Sequence, residues 1–413
     1  MPSHPRARVI VAGGSLAGLI VAALLRRAGM AVTILERSRT DLAARGAGIV
    51  VHDALFEALD GAGVDRGHTA NIHSGGRQVF NNQGAIVARR TMEQQFTAWG
   101  TVYRLLRRIF PSSDYHLGRT VTATYGDGKQ VVVETADGDN FTADWLIAAD
   151  GSRSSLRRDI PGTAAPHYAG YVAWRGLVLE SALDTADREL LGSRMSFALP
   201  PGEHMLCYLV AGPEDDLRPG HRWYNWVWYR GADADLELPR LTTGVDGTRY
   251  DDGIPPHAIA PAAVAAMRDA ALTRLPPVFR AVIAATPQPF LQVVNDAMTA
   301  RMVHGRVILI GDAAFTARPH VGLGVSKAAG DAYTLMQALT EPDADVALRR
   351  WEDARVRFGT AAVAWGRRLG SYIGAIADTP DARALAAYYA EPEAVMEQVA
   401  TAHPEHFLHD GGT

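Results

Sequence analysis

Three acidic side chains follow strand ends at widely separated places in the chain, each beside glycine or a short apolar run. Glu36 ends one such run, Asp150 precedes Gly151, and Asp312 follows Gly311. Short runs of this kind are typical of buried parallel strands. Because the carboxyl ends of parallel strands meet at one edge of a sheet, we expect Asp150 and Asp312 to converge on one ligand.

A variant of the dinucleotide-binding fingerprint lies near the start of the chain. Gly13-Gly14-Ser15-Leu16-Ala17-Gly18 stands between a predicted strand and a predicted helix, and Ser15 replaces the usual second glycine. Glu36 follows Gly18 by 18 residues, about where an acid meets a ribose hydroxyl. This order favours a dinucleotide site over a βαβ unit without ligand. A hydrolase nucleophile elbow is excluded by Ala17 and by the position at the start of the chain.

The segment from Gly311 to Val325 predicts a cofactor cradle. Pro319 fixes a turn, and Gly322 and Gly324 let the backbone approach a flat or anionic group closely. A helix begins near Val325, with free N–H groups directed at the loop. The alternative is an ordinary strand-to-helix connection, which is usually shorter and poorer in glycine.

Alternating hydrophobicity predicts the elements that position these residues. Residues 8–12, 31–35, 145–149 and 307–310 are predicted parallel strands, and residues 115–125, 130–135 and 140–143 a β-meander. Residues 168–179, 195–199, 205–210 and 223–230 predict an antiparallel sheet rich in aromatic residues. A long amphipathic helix is predicted from Pro342 to about Ala377, followed by a helix over 381–390 and a polar tail.

Composition excludes several classes of function. A length of 413 residues predicts two to three domains, and a net charge of -4 gives no electrostatic case for nucleic acid or membrane binding. The single Cys207 excludes a cysteine cluster, and we predict no metal site. A frayed tail is favoured over a metal site for His403, His406 and His409, because they lie near the terminus and Pro404 stands among them. Without a signal peptide or a membrane-spanning run, we expect a cytoplasmic protein.

The three acid-containing motifs, taken in order, resemble the single-component FAD aromatic hydroxylases of the para-hydroxybenzoate hydroxylase group. Residues 168–176, 302–307 and 318–320 resemble the hydroxypyridine hydroxylases within that group. The predicted fold is α/β, with a Rossmann-like FAD-binding domain containing the β-meander. An α+β substrate domain with an antiparallel sheet and a long C-terminal helix completes it. The predicted FAD-binding domain covers residues 1–75, 100–165 and 296–378, the substrate domain 76–99 and 166–295, and the C-terminal helix and tail 379–413.

The resemblance also implies which residues bind FAD. Glu36 would bind the adenosine ribose, Asp312 the ribityl and pyrophosphate side, and the loop from Pro319 to Val325 would lie against the isoalloxazine. One arginine of the predicted helix over 102–110, which carries Arg104, Arg107 and Arg108, would reach a phosphate or carboxylate, with Arg104 as the candidate for FAD; a solvated helix face explains these arginines equally well. The remaining expected FAD contacts are Gly13, Gly14, Ser15, Ala17, Gly18, Arg37, Gly48, Ile49, Val121, Asp150, Gly311, Gly322 and Gly324.

The implied reaction is hydroxylation of a phenolic or hydroxylated N-heteroaromatic molecule with NADH or NADPH and O2, through a flavin C4a-hydroperoxide. A base should deprotonate the substrate, and a histidine with a pKa near neutrality suits this role. His320 is the first candidate and His52 the second, although either can be purely structural.

Tyr208, Trp226, Arg175 and Pro319 are candidate substrate contacts, although a tryptophan here can equally belong to a core. Alternatives are a flavin-dependent epoxidase, an oxidase or dehydrogenase, and a non-catalytic flavin sensor. A homodimer is plausible by resemblance.

Overall fold

The computed structural model describes residues 7–43, 47–65, 67, 69–160, 163, 165–251 and 253–401. Its strands are β1 Arg8–Ala12, β2 Ala31–Glu36, β3 Gly48–Val51, β4 Asn71–His73, β5 Arg77–Phe80, β6 Ile86–Arg90, β7 Gln95–Ala98, β8 Tyr115–Leu117, β9 Val121–Gly126, β10 Val131–Thr135, β11 Asn140–Ala143, β12 Trp145–Ala148, β13 His167–Leu179, β14 Met195–Ala198, β15 Glu203–Val210, β16 Trp223–Gly231, β17 Gly253–Ile254, β18 Phe290–Asp296, β19 Val303–His304 and β20 Val307–Leu309.

The helices alternate with the strands in the N-terminal part and dominate the C-terminal part. They are α1 Leu16–Arg27, α2 Asp53–Ala62, α3 Trp99–Ile109, α4 Ser155–Arg158, α5 Thr185–Leu191, α6 Glu237–Thr242, α7 Pro261–Arg274, α8 Pro277–Ala284, α9 Gly324–Thr340, α10 Ala344–Leu369, α11 Pro380–Tyr389 and α12 Pro392–Gln398.

The first sheet has the strand order β19-β20-β12-β1-β2-β8. All its ladders are parallel except the one between β19 and β20. Strands β1 and β12 are almost wholly buried because both helix α1 and the strands β10 and β11 pack against them. The carboxyl ends of β2, β12 and β20 therefore bring Glu36, Asp150 and Asp312 to one edge.

The β-meander comprises β9, β10 and β11, in a separate three-stranded sheet. The sequence predicted one strand over residues 115–125, and the structure corrects this. Residues 115–117 form β8, which pairs with β2 in the parallel sheet, and the chain then turns into β9. Gly118, with a φ of 75°, lies in the connection that separates the two.

The second large sheet has the order β17-β18-β13-β16-β15-β14-β5-β6 and is antiparallel except for the pairing of β14 with β5. One face packs on α7 and α8 through Trp174, Trp226 and Trp228. The other face carries Tyr171, Arg175, Tyr208, Val227 and Tyr229, because residues paired across neighbouring strands share a face.

The C-terminal helices differ from the prediction in two places. Helix α10 ends at Leu369 rather than near Ala377, and the chain then turns through Gly370 and Gly374. The predicted polar tail contains α12, whose Val395 and Met396 lie in a buried cluster with Tyr208. His403, His406 and His409 lie outside the described residues.

A fourth sheet has the order β3-β7-β4, and its strands β4 and β7 contact β15 of the large antiparallel sheet. Its strand β7 belongs to the stretch 76–99 assigned to the substrate domain, yet it pairs with strands of the N-terminal region. The domain boundaries stay a prediction. Within the described part of the chain, none of the helices has the length and apolar character needed to cross a bilayer.

Candidate active site

The turn after β1 is tight, and glycine is required where it approaches neighbouring backbone. Gly13 has a φ of 108°, and a Cβ there would collide with the carbonyl oxygen of Ala149. A Cβ on Gly18 would collide with the Gly13 carbonyl, so both glycines let α1 approach the sheet edge. A Cβ on Gly14 would likewise collide with the Tyr115 hydroxyl. This hydroxyl donates a 2.8 Å hydrogen bond to the Gly14 carbonyl.

The N-terminus of α1 is open to an anion. Ser15 is the N-cap residue, yet its side chain makes no capping hydrogen bond, and the first turn contains no acid. The free N–H groups and the positive end of the helix dipole therefore remain available to a phosphate. The buried Glu36 accepts hydrogen bonds from the amides of Gly14 (2.7 Å) and Ser38 (2.8 Å), which fixes its carboxylate beside the turn.

A cavity of about 560 Å³ lies at this edge of the sheet. Arginines supply positive charge and the two acids supply acceptors for hydroxyl groups. Its lining includes Gly13, Ser15, Glu36, Arg37, Trp99, Arg119, Val121, Asp150, Arg153 and Arg158.

Asp150 and Asp312 are connected by an arginine that the sequence interpretation did not single out. The buried Arg157 of α4 donates hydrogen bonds of 3.1 Å to the carbonyls of Asp312 and Ala313 and a third to that of Ser152. Asp150 accepts a hydrogen bond from the amide of Ser155, and burial raises the pKa of its carboxyl. The two strand ends therefore form one rigid unit.

The turn at Gly311 is held by a buried ion pair that was also missed. Lys327 donates to the Gly311 carbonyl at 2.8 Å, and Asp331 accepts from the Gly311 amide at 2.9 Å. Lys327 and Asp331 also pair with each other at 3.2 Å, and Arg355 contacts Asp331 at 2.6 Å. The four-residue spacing of Lys327 and Asp331 on a helix was the available sequence signal.

A second cavity of about 310 Å³ adjoins the first, since Trp99 lines both. The loop after β20 forms one side, and a Cβ on Gly324 would meet no atom within 4 Å there. The face of the antiparallel sheet that does not pack on α7 and α8 forms the other side. The lining includes Gly48, Ile49, Arg175, Tyr208, Val227, Tyr229, Gln292, Asp312, Pro319, His320, Gly322, Gly324, Val325, Val399 and Ala400.

Arg175 of β13 and Tyr208 of β15 line this cavity from the two strands on either side of β16, whereas Trp226 does not line it. Arg175 donates to the Gln292 amide oxygen at 2.9 Å, and its buried Nε has no hydrogen-bond partner among the described residues. Trp226 lies on the opposite face, where its indole donates to Thr286 at 2.8 Å. The prediction that Trp226 contacts substrate is therefore corrected, because alternation identifies a face but not the side on which the cavity lies.

His320 is buried in the wall of this cavity. Its Nε2 shares a 2.9 Å hydrogen bond with the Tyr171 hydroxyl, and in the described part of the chain its Nδ1 has no partner. Burial lowers the pKa of His320 well below its usual range, and His204 and Arg318 lower it further. The imidazole is therefore neutral at pH 7, rather than half protonated as expected from the sequence.

A second histidine, His204, lies beside His320 and was not predicted. The two ring centroids are 5.6 Å apart, and His204 Nδ1 shares a hydrogen bond with the Tyr372 hydroxyl. Burial lowers the pKa of His204 to about 3. His204 comes from β15 and Tyr372 from the chain after α10, so no local pattern in the sequence links them.

The structure does not bring His52 and Arg104 to either cavity. His52 Nε2 contacts the carbonyl of Gly322 at 3.2 Å, and burial lowers the pKa of its imidazole. Arg104 pairs with Asp215 of the loop after β15. Four other predicted FAD contacts lie at or beside the turns after β1 and β20 but do not line the cavities: Gly14, Ala17, Gly18 and Gly311.

The two adjoining cavities fit FAD. An open helix N-terminus beside a buried acid suits a pyrophosphate and a ribose, and the open space above Gly324 suits a flat ring. The residues that would hold it are Gly13, Ser15, Glu36, Arg37, Val121 and Asp150 in the first cavity and Gly48, Ile49, Asp312, Pro319, Gly322, Gly324 and Val325 in the second.

Comparison with known proteins supports this fit. The family described as FAD binding domain matches residues 6–192 and 288–365, and the family described as FAD binding domain-like matches residues 168–296. The 2,6-dihydroxypyridine 3-monooxygenase of Paenarthrobacter nicotinovorans is 32% identical over 86% of this chain and 88% of its own length. The 6-hydroxynicotinate 3-monooxygenase of Bordetella bronchiseptica is 27% identical over 84% and 87%.

A solved structure agrees with these sequence relatives. The 2,6-dihydroxypyridine-3-hydroxylase from Arthrobacter nicotinovorans superimposes with a TM-score of 0.85 at 30% identity, covering 92% of this chain and 96% of that one. These findings confirm the predicted resemblance, the α/β fold class and FAD as the cofactor. The chain belongs to the FAD binding domain family and is a flavoprotein monooxygenase.

Proposed function

We propose that this protein uses FAD, NADH or NADPH, and O2 to hydroxylate a single-ring phenol or a hydroxylated N-heteroaromatic molecule. The observation that carries the proposal is the second cavity. There Arg175, Gln292 and His320 line one cavity beside the loop that would hold the flavin. Relatives whose names specify hydroxylated pyridines support the same substrate class.

The size of the cavity favours a small substrate. The second cavity has a volume of about 310 Å³, at the lower end for small-molecule sites, and the flavin ring would occupy part of it. Its walls contain Tyr208, Tyr229 and Val227, which offer aromatic and apolar surface to a ring. A one-ring molecule with one or two hydroxyl groups fits this combination of volume and polarity, whereas a polycyclic substrate does not.

The polar groups have distinct roles in the proposed reaction. Bound FAD, reduced by NADH or NADPH, supplies the activation of oxygen. His320 is neutral at pH 7, so its Nδ1 accepts the proton of a substrate hydroxyl. Arg175 stabilises the resulting oxyanion, and Gln292 orients Arg175 through their 2.9 Å hydrogen bond. Electron density then increases on the ring carbon that receives oxygen.

We propose two accompanying properties, a cellular location and an oligomeric state. A cytoplasmic location follows from the sequence prediction, and a homodimer follows from family resemblance. Size measurement of the purified protein in solution tests the dimer. Parallel assays with NADH and NADPH identify the donor.

The test is a screen of phenols and hydroxypyridines for stimulated oxidation of NADH and NADPH by the FAD-bound protein. We expect at least one hydroxypyridine or phenol to stimulate consumption and to gain one oxygen atom from labelled O2, as read by mass spectrometry. Stimulated consumption without a labelled product would indicate an oxidase or dehydrogenase. An absence of stimulation across the screen would indicate a flavin sensor and contradict the proposal.

A further inference from the structure

The C-terminal segment 392–401 forms part of the wall of the second cavity. Helix α12 ends at Gln398, and the next two residues, Val399 and Ala400, line the cavity together with His320 and Tyr208. Val399 is almost completely buried, at 1% exposure. The sequence suggested a polar tail here, so no function had been assigned to this segment.

A buried arginine anchors the segment. Arg77 of β5 donates hydrogen bonds to the carbonyls of Met396 (2.9 Å) and Val399 (2.6 Å), at the C-terminus of α12. A cation at this end of a helix is favoured by the helix dipole and by the free carbonyls. Gln94 connects Arg77 to the segment. Its amide oxygen accepts a hydrogen bond from Arg77, and its amide nitrogen donates to the Ala400 carbonyl at 2.8 Å.

The segment is also joined to the loop that carries His320. The Ala400 amide donates to the His320 carbonyl at 2.7 Å. Ala400 lies against Gly322, where any Cβ would be 2.7 Å from the Ala400 methyl group. Ala400 has a φ of 56°, a left-handed conformation that a non-glycine residue adopts only when its contacts enforce it. The position of Val399 is therefore fixed from two sides.

We propose that Val399 is a specificity-determining residue whose side chain limits the size of ring substituent that the cavity accepts. The inference rests on the proposed function and assigns substrate selection to this segment. Val399 is branched and apolar, so it excludes extra carbon atoms by volume and offers no hydrogen bond. Arg77 acts as a positioning residue, because it reaches the cavity only through the backbone of Val399 and Ala400.

The experiment measures binding of two substituted series to the FAD-bound full chain. The probes are 2,6-dihydroxypyridine and phenol, each with its 4-methyl, 4-ethyl and 4-propyl derivatives, and binding is read from the perturbed absorption of bound flavin. We expect Val399→Ala to increase the affinity for the ethyl derivative, relative to that for the parent, by about tenfold. This is the lower end of the range for one methylene group in an apolar pocket. We expect Val399→Phe to weaken the methyl derivative relative to the parent by at least about tenfold.

The matched control is Val245→Ala, which makes the same chemical change at a residue that is 63% exposed. It should leave the ethyl-to-parent ratio unchanged. An unchanged ratio in both Val399 variants, with the parents still bound, would overturn this inference alone. Failure of both parents to bind to the unaltered protein would contradict the proposed substrate class and this inference together.

A second variant tests the anchor independently of Val399. Arg77→Lys keeps the charge but cannot donate to Gln94 and two carbonyls in one plane. We expect faster proteolytic cleavage after α11 and a smaller difference in affinity between parent and propyl derivatives. Arg89→Lys, at an exposed arginine of β6, is the control. Equal cleavage and equal affinity ratios in the two variants would remove Arg77 from the assignment.

Discussion

His320 combines burial with one free nitrogen, and this combination determines its chemistry. Tyr171 engages Nε2, so Nδ1 is the only ring nitrogen left to a substrate. The lowered pKa keeps the ring unprotonated, which a base requires before it can accept a proton. Burial also makes the conjugate acid costly, so the proton must leave or be shared with the substrate during the reaction.

Replacing His320 by glutamine should reduce kcat by about 10²- to 10⁴-fold, the range for loss of a positioned base. FAD affinity should change little, because the His320 side chain is directed at Tyr171 of the antiparallel sheet. Single-turnover measurements, together with flavin titration, check both expectations. The control is His73→Gln, at an exposed strand residue. Retention of full turnover by His320→Gln at every pH would assign the base to another group.

The pH dependence of the unaltered enzyme provides a separate test of the same residue. Since the pKa of His320 is lowered, its basic form persists well below pH 6.5. We expect kcat/KM to stay level on the acid side from pH 7.5 to about 6 with a substrate whose own hydroxyl does not titrate there. A decline centred near the ordinary histidine pKa would indicate that the base is an exposed histidine.

The residue types were largely predictable, whereas their electrostatic environment was not. His320 follows Pro319 in the sequence, so its place on the flavin loop was visible. Its lowered pKa comes first from burial and then from His204 and Arg318, and His204 belongs to a distant strand. The side on which Trp226 lies depends on where α7 and α8 pack, and this is a property of the tertiary structure.

At the scale of elements, the loop before α9 shows how glycine conformation supports the site. Gly322 has a φ of 64°, and its missing Cβ leaves the space that Ala400 fills. Gly322→Ala should lower the free energy of unfolding by about 2–4 kcal/mol, from the left-handed backbone and the contact at 2.7 Å. Urea denaturation measures this difference.

The control for this variant separates the two causes. Gly138 has a similar φ of 85°, but a Cβ there would meet nothing within 4 Å. Gly138→Ala should therefore cost only about 1 kcal/mol, from the backbone conformation alone. Equal losses in the two variants would show that Ala400 does not press on Gly322, and would weaken the case for a wall built by the C-terminal segment.

The turn at Gly311 depends on charges that lie one helical turn apart. Lys327→Met removes the donor to the Gly311 carbonyl and leaves Asp331 with Arg355 as its remaining cation. We expect a loss of about 3 kcal/mol in the free energy of unfolding and weaker FAD binding, because a buried carboxylate loses a partner. Thermal unfolding and flavin titration measure the two effects. Lys129→Met, at an exposed turn, should change neither.

The elements themselves followed from the sequence where their pattern was local. Runs of β-branched residues marked β1, β2, β12 and β20, and Asp-Gly turns marked the meander. The boundary between β8 and β9 was missed because pairing with β2, rather than the residues of β8, decides which sheet it joins. Helix α12 was missed because its apolar residues are few and its burial depends on β5.

At the scale of the whole molecule, the site lies where the parallel sheet edge, the antiparallel sheet face and the C-terminal segment meet. The ordered motifs predicted the first of these, and the aromatic strands predicted the second. The third joins residues more than 300 positions apart, such as Arg77 and Val399. A contact of that sequence separation leaves no periodic signal, so only the folded chain shows it.

The same junction buries histidines, and this makes the stability of the whole fold dependent on acid. Burial lowers the pKa of His204 to about 3 and also lowers the pKa values of His52 and His320. In the unfolded chain each imidazole returns to a pKa near 6.5. Below pH 6.5 the unfolded state therefore binds more protons than the folded state, and the free energy of unfolding falls as the pH falls.

Because the folded-state pKa of His204 is about 3, this histidine contributes a loss of about 1 kcal/mol between pH 6.5 and 5.5. His204→Gln removes this contribution while a polar side chain remains near Tyr372, so the loss over this interval should be about 1 kcal/mol smaller than that of the unaltered protein. Urea denaturation at a series of pH values measures both slopes, and His73→Gln should leave the slope unchanged. Because carboxyl groups contribute equally to all three proteins, the difference between slopes isolates the buried imidazole. Parallel slopes for His204→Gln and the unaltered protein would mean that His204 titrates in the folded state much as it does in the unfolded chain.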